Sequence, residues 1–119
     1  MAKILVVDDS MLARHKHSSI LQDLGHETVQ ACDGLEGLTF AMEQQFDVAL
    51  VDLMMPNLDG LGFLAALNEK GLKLPVIVVS ADIQETKREE CSAQGAVGFL
   101  AKPAKKEKLV KLLTELLDQ

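Results

Sequence analysis

Three short runs of this chain are apolar without interruption: Ile4–Val7 (ILVV), Val48–Val51 (VALV) and Val76–Val79 (VIVV). A strand covered on one face alternates apolar and polar side chains. A strand buried on both faces reads instead as an unbroken β-branched and Leu run, the pattern of inner strands in a parallel sheet. Parallel neighbours need crossovers long enough for a helix, so these runs predict a sheet with helices on both sides. Two weaker candidates complete it. Glu27–Cys32 (ETVQAC) alternates as an edge strand would, and Val97–Leu100 (VGFL) is short. The expected strands are Lys3–Asp8, Glu27–Cys32, Val48–Asp52, Pro75–Ser80 and Val97–Leu100.

The stretches between them have helical periodicity. In the first, Ala13, His17, Ile20, Leu21 and Leu24 share one face, and Gly25 supplies a stop. A second helix begins after Asp33-Gly34 with Leu35, Leu38, Ala41 and Met42 as its apolar positions. The third spans about Leu61–Lys70 with Phe63, Leu64 and Leu67 inward, and the last carries Leu109, Leu112, Leu113, Leu116 and Leu117 on one stripe. The fourth, Gln84–Gln94, offers only Cys91 and Ala93 to a core. A helix held by so little burial shifts cheaply. Five β–α units with right-handed crossovers give an α/β fold of three layers, α/β/α, and residues 1–119 read as a single domain.

Charge excludes some functions. The chain has a formal net charge of −6, which opposes general binding to nucleic acid or an anionic membrane. Lys102, Lys105, Lys106, Lys108 and Lys111 cluster near the end, mostly as a solvated helix face. Cys32 and Cys91 are too few and too far apart for a disulfide framework or a metal site, and suit a reducing compartment. The opening MAKILVVDD is no signal peptide, and no stretch is long enough to cross a bilayer, so a cytoplasmic location is expected.

In an open parallel sheet, ligands bind beyond the carboxyl ends of the strands. Here the first strand ends in Asp8-Asp9, the third in Asp52 and the fourth in Ser80, and the fifth leads to Lys102-Pro103. Each alone is an ordinary helix cap or turn residue. Together they put three acids, a hydroxyl and a lone ammonium at one rim, which independent capping choices do not predict. Two like charges about 4 Å apart cost about 4 kcal/mol at an effective dielectric near 20, so the site wants a cation. Oxygen donors with room for water suit Mg²⁺ better than zinc. His15 and His17 face different directions on their helix and are not a metal pair. Carboxylates beside Mg²⁺, with a lysine and a serine, make a phosphoryl-transfer site in which an aspartate can serve as nucleophile.

These motifs resemble the receiver domains of two-component response regulators over essentially the whole chain. They are DD after the first strand, D-x-M-M-P-x-x-D-G after the third, S-A ending the fourth and F-x-x-K-P at the fifth. The resemblance implies a five-stranded flavodoxin-like, CheY-like sheet of order 2-1-3-4-5. It implies that Asp52 accepts a phosphoryl group from a sensor histidine kinase or phosphotransfer protein of a phosphorelay. Asp8, Asp9, Asp52 and the Met54 carbonyl would hold Mg²⁺. Lys102 would contact the phosphoryl group, through a Lys102–Pro103 bond that is cis in relatives, and Pro56, Gly60 and Pro103 would shape the loops. Ser80 and Phe99 would form a switch pair, acting on the face of the fourth helix, fifth strand and fifth helix where Lys87, Arg88, Lys105 and Lys106 lie. A stand-alone receiver of this kind would signal through a partner rather than an output domain.

The chain departs from the common pattern where Phe99 replaces Tyr, Ser80 replaces Thr, and Met54 stands beside the acyl phosphate. Two rival readings share the sheet. A Mg²⁺-dependent aspartyl phosphatase needs an acid/base two residues after the nucleophile, and Met54 can transfer no proton. A flavin carrier needs a small, neutral first loop, and DDSMLA sets two acids against an anion.

Overall fold

The computed structural model describes residues 1–117. Strands β1 (Lys3–Val7), β2 (Glu27–Ala31), β3 (Val48–Asp52), β4 (Val76–Ser80) and β5 (Gly98–Ala101) form one parallel sheet in the order β2-β1-β3-β4-β5. Helices α1 (Met11–Asp23), α2 (Gly34–Glu43), α3 (Gly60–Glu69), α4 (Glu85–Ala93) and α5 (Lys106–Leu117) alternate with them. The unbroken apolar runs are the three inner strands, and ETVQAC is an edge, as its alternation requires. Strand ends shift by a single residue from the expected bounds at β1, β2, β4 and β5.

The pleat divides the core in two. Ile4, Val6, Val48, Leu50, Ile77 and Val79 pack with Leu21 of α1 and Leu109 and Leu113 of α5, while Leu112, Leu116 and Leu117 flank them half-buried. Their neighbours Leu5, Val7, Ala49, Val51, Val76 and Val78 face the opposite way, onto Phe63, Leu64 and Leu67 of α3 and Cys91 of α4. Burial on both faces is why these strands carry no polar alternation. Both thiols are free, Cys91 buried and Cys32 exposed. Among the described residues, no helix is long and apolar enough to cross a membrane.

Helix starts follow local chemistry. Ser10 accepts from the Ala13 N–H, Asp33 from Glu36 and Asp59 from Gly62, each capping its helix. Gly25 stops α1 at a φ of +90°, where a side chain would be strained. α4 lacks a side-chain cap and buries only Cys91. Ala93, its other expected core residue, is exposed. The thin anchoring read from its sequence is therefore thinner still.

The packing of α2 corrects the sequence reading. Leu38 and Ala41 pack on the core, but Leu35 and Met42 are each 51% exposed. The buried positions are Gly34 and Gly37. A Cβ on Gly37 would stand 2.8 Å from Val7 Cγ2, and one on Gly34 would overlap the Leu58 carbonyl. The helix thus meets the sheet and the β3–α3 loop through its glycines, which turns Leu35 and Met42 outward. Gly34→Ala should destabilise the fold by about 1–3 kcal/mol through backbone overlap, whereas Leu35→Ala should stay within about 0.5 kcal/mol of the parent. Urea midpoints at unchanged m-value measure both.

Candidate functional site

The carboxyl ends of β1, β3 and β4 converge on one rim because the register aligns them. Val7 pairs with Val51, and Asp52 with Val79. Asp8 and Asp52 are 2% and 5% exposed, Ser80 is fully buried, and Asp9 is exposed. Asp8, Asp9 and Asp52 each offer a carboxylate oxygen within 4.8 Å of the others. Lys102, 94 residues beyond Asp8, reaches back to close the cluster. Its Nζ lies 3.0 Å from Asp8 Oδ2 and 3.3 Å from Asp52 Oδ2. The expected constellation is assembled from four separate chain segments.

Each member is held by its own backbone contacts. Asp8 Oδ1 accepts from the Ser10 N–H at 2.9 Å, and Arg14 Nη1 donates to the Asp8 carbonyl at 2.8 Å. The Lys102 N–H donates to the Ser80 carbonyl at 2.9 Å, continuing the β4–β5 ladder one step past the strand. The Lys102–Pro103 bond is cis, as the resemblance implies. Gly60 begins α3 so close to β3 that a Cβ would lie 2.9 Å from Leu53 Cα and 3.0 Å from the Asp52 carbonyl oxygen. A side chain there would push the helix off the strand end that carries Asp52. Pro56 and Met54 lie exposed in the same loop, Met54 at 64%.

Three carboxylates face one ammonium, so negative charge is in excess. Burial is the main cause that pushes the Asp52 carboxyl up to about 6; the Asp8 charge adds to it and Lys102 opposes it. For Lys102, burial acts to release the proton, but hydrogen bonding to Asp8 and the charges of Asp52 and Asp8 outweigh it and hold the ammonium protonated. The arrangement holds one cation firmly and leaves room in its electrostatics for another.

Ser80 and Phe99 sit between this pocket and α4. Ser80 Oγ accepts from the Asp82 N–H at 3.0 Å, which uses a lone pair and not the hydroxyl proton. Asp82 Oδ1 in turn accepts from the N–H of Gln84, the cap of α4. Phe99, on β5, is half-buried, with the Arg88 guanidinium 5.4 Å from its ring centroid.

Other contacts were invisible in the sequence. Asn57 turns the β3–α3 loop at a φ of +68° and donates to Asp33 at 2.9 Å. His17 is buried on α1, and its Nε2 accepts from the Ala104 N–H at 3.4 Å. Burial lowers the imidazole pKa, against the pull of Asp8. Asparagine two residues before the DG of the loop was a local clue to a left-handed turn; the Asn57–Asp33 and His17–Ala104 contacts have no local signal. A cleft of about 450 Å³ lies at the opposite, amino ends of the strands among Ala2, His26, Asp47 and Val110, away from this chemistry.

Comparison with known proteins agrees with the geometry. The profile of the response regulator receiver domain matches residues 4–114. Protein PilH of Pseudomonas aeruginosa is 35% identical over 119 residues, 98% of each chain. The structure of the chemotaxis protein CheY4 of Vibrio cholerae superposes with a TM-score of 0.90 at 37% identity, covering 98% of both chains. The receiver domain of the sensor histidine kinase PA1611 of Pseudomonas aeruginosa, solved with magnesium coordinated in its active-site cleft, gives a TM-score of 0.89 at 28% identity over 99% of this chain and 98% of that one. Other relatives are longer, and this chain spans only 10% to 52% of their length. The aspartyl-phosphatase reading finds no support in these relatives. The chain belongs to the response regulator receiver domain family, the phosphorylation-dependent signalling switches.

Proposed function

We propose that residues 1–119 form a single receiver domain in which Asp52 is the phosphoacceptor. The observation that carries this reading is the Lys102 ammonium set between Asp8 and Asp52 at 3.0 and 3.3 Å. An Asp52 oxygen attacks the phosphorus of a phosphohistidine, the P–N bond breaks, the imidazole leaves, and an acyl phosphate remains. Lys102 stands where it can neutralise one phosphoryl oxygen, and the uncommitted Ser80 proton can serve another. The donor set fits Mg²⁺: all oxygen, Asp8, Asp9 and Asp52 mutually within 4.8 Å, one of them open to water. The Met54 carbonyl would complete the protein's share of the shell. The ion's contribution is to neutralise charge on the phosphoryl oxygens. On this reading the chain catalyses only its own phosphorylation and dephosphorylation.

The donor is a cytoplasmic histidine kinase or phosphotransfer protein. The rim around the acids supports docking of a protein, because Met11, Leu12 and Met54 are 63%, 81% and 64% exposed there. Phosphorylation adds charge and acceptor oxygens at Asp52. Drawing Ser80 toward them disturbs the Asp82 N–H that caps onto it, beside the weakly held α4. Phe99 then turns under its Arg88 cover, and the α4–β5–α5 face changes for a downstream protein target.

Incubation with a small phosphodonor and Mg²⁺ should add one phosphoryl group by intact mass, mapped to Asp52. Omitting the metal or introducing Asp52→Asn should abolish it; a label elsewhere would contradict the assignment. Met54 crowds the approach of water to the acyl phosphate, so Met54→Asn should speed dephosphorylation severalfold, about the scale of one added group that can orient water. An unchanged or slower decay, followed by loss of the mass increment, would remove that role.

A further inference from the structure

We infer that His17 is a positioning residue for Lys102, holding through the Ala104 amide the loop that carries the ammonium into the site. The inference rests on the phosphoryl-transfer reading of that site. Lys102 occupies the first turn of chain after β5, and its backbone is tied on only one side by the sheet, where its N–H meets the Ser80 carbonyl at 2.9 Å. On the other side stands Pro103, which has no N–H to give. The next donor along the chain is Ala104, and it points at His17 Nε2, 87 residues away in sequence, at 3.4 Å.

Packing anchors the loop on one side, where Ala104 enters the core. Its outer side borders a cleft of about 220 Å³ lined by Leu12, Ala13, Lys16, Lys102 and Pro103, with His17 at its floor, and Pro103 is exposed. The inner side is closed: Ala104 is 3% exposed and His17 2%. With an apolar side chain filling the place of the imidazole, the Ala104 N–H would lose its hydrogen-bond partner, a state that buried amides avoid. An imidazole is a costly choice among Ile20, Leu21 and Leu24 on the buried face of α1 unless it accepts that hydrogen bond. His17 and the Ser80 carbonyl thus clamp the backbone on either side of Lys102. α1 also fixes the facing partner, since Arg14, one turn earlier, donates to the Asp8 carbonyl. One helix sets both ends of the Lys102–Asp8 ion pair.

The test uses the whole chain as wild type, His17→Leu and His17→Gln. Leucine fills the space without an acceptor, whereas the glutamine amide oxygen reaches roughly where Nε2 lies. With phosphoramidate and saturating Mg²⁺, His17→Leu should slow phosphorylation of Asp52 about tenfold, the order expected for a displaced catalytic group. Hydrogen exchange at the Ala104 amide should rise about tenfold with loss of one hydrogen bond. His17→Gln should recover both to within about threefold of wild type, even if the two variants melt at the same lowered temperature. A Leu variant as fast as wild type, or a Gln variant as slow as Leu, overturns the inference. Should His17→Leu fail to fold, a long-range ¹H–¹⁵N spectrum of the wild type decides. An unprotonated Nε2 is required, and an Nε2–H tautomer overturns the proposal. Wild type that takes up no phosphoryl group at all would count against the phosphoacceptor reading, leaving the tautomer and amide exchange to judge His17.

Discussion

The repulsion among Asp8, Asp9 and Asp52, only partly answered by Lys102, is the interaction around which the molecule is arranged. Carboxylates within 4.8 Å of one another, two of them almost out of water, oppose folding unless charge is removed or balanced. The folded chain meets this in part by raising the Asp52 pKa to about 6, above an ordinary value of 3.8. The sign of the linkage follows. Tighter proton binding in the folded state gives stability that is complete below the ordinary carboxylate pKa and is lost as pH rises through about 6. At neutral pH the site is therefore held in an unfavourable ionisation, which a divalent ion at these carboxylates would relieve.

The sheet and the pocket were largely legible from the chain. ILVV, VALV and VIVV can be buried on both faces only between other strands, so the inner sheet followed from patterning. The acids, Ser80 and Lys102 were legible as a group because topology sends every strand's carboxyl end to the same rim. What resisted reading was whichever contact is set by close approach rather than by apolarity. Leu35 and Met42 fit a helical stripe, yet α2 docks through Gly34 and Gly37 and leaves both exposed. Hydropathy rewards side-chain area and has no term for a backbone that nears its neighbour because a side chain is missing. His17 was placed correctly on the inward face of α1, but its partner is an alanine amide 87 residues on. The Asn57–Asp33 tie likewise spans 24 residues.

The acidic pocket connects to α4 through few parts. Ser80 is fully buried against the pocket, and its hydroxyl accepts from the first turn leading to α4. That helix has one buried side chain and no side-chain cap, so little holds it in place. By contrast α1 and α3 are capped and each buries several side chains, and they frame the acids. Anchoring is thus unevenly distributed: firm in the helices that frame the acids, thin at α4. Arg88 over Phe99 gives the loose side a specific resting arrangement even though Phe99 has no hydroxyl to anchor it.

The most direct measurement is the titration of Asp52 itself, followed through its side-chain carboxyl ¹³C shift, with and without Mg²⁺. The metal-free protein should titrate near pH 6 at this residue, and Mg²⁺ should carry the midpoint well below that value. A midpoint at the usual carboxylate pH that the ion leaves unmoved would contradict the account.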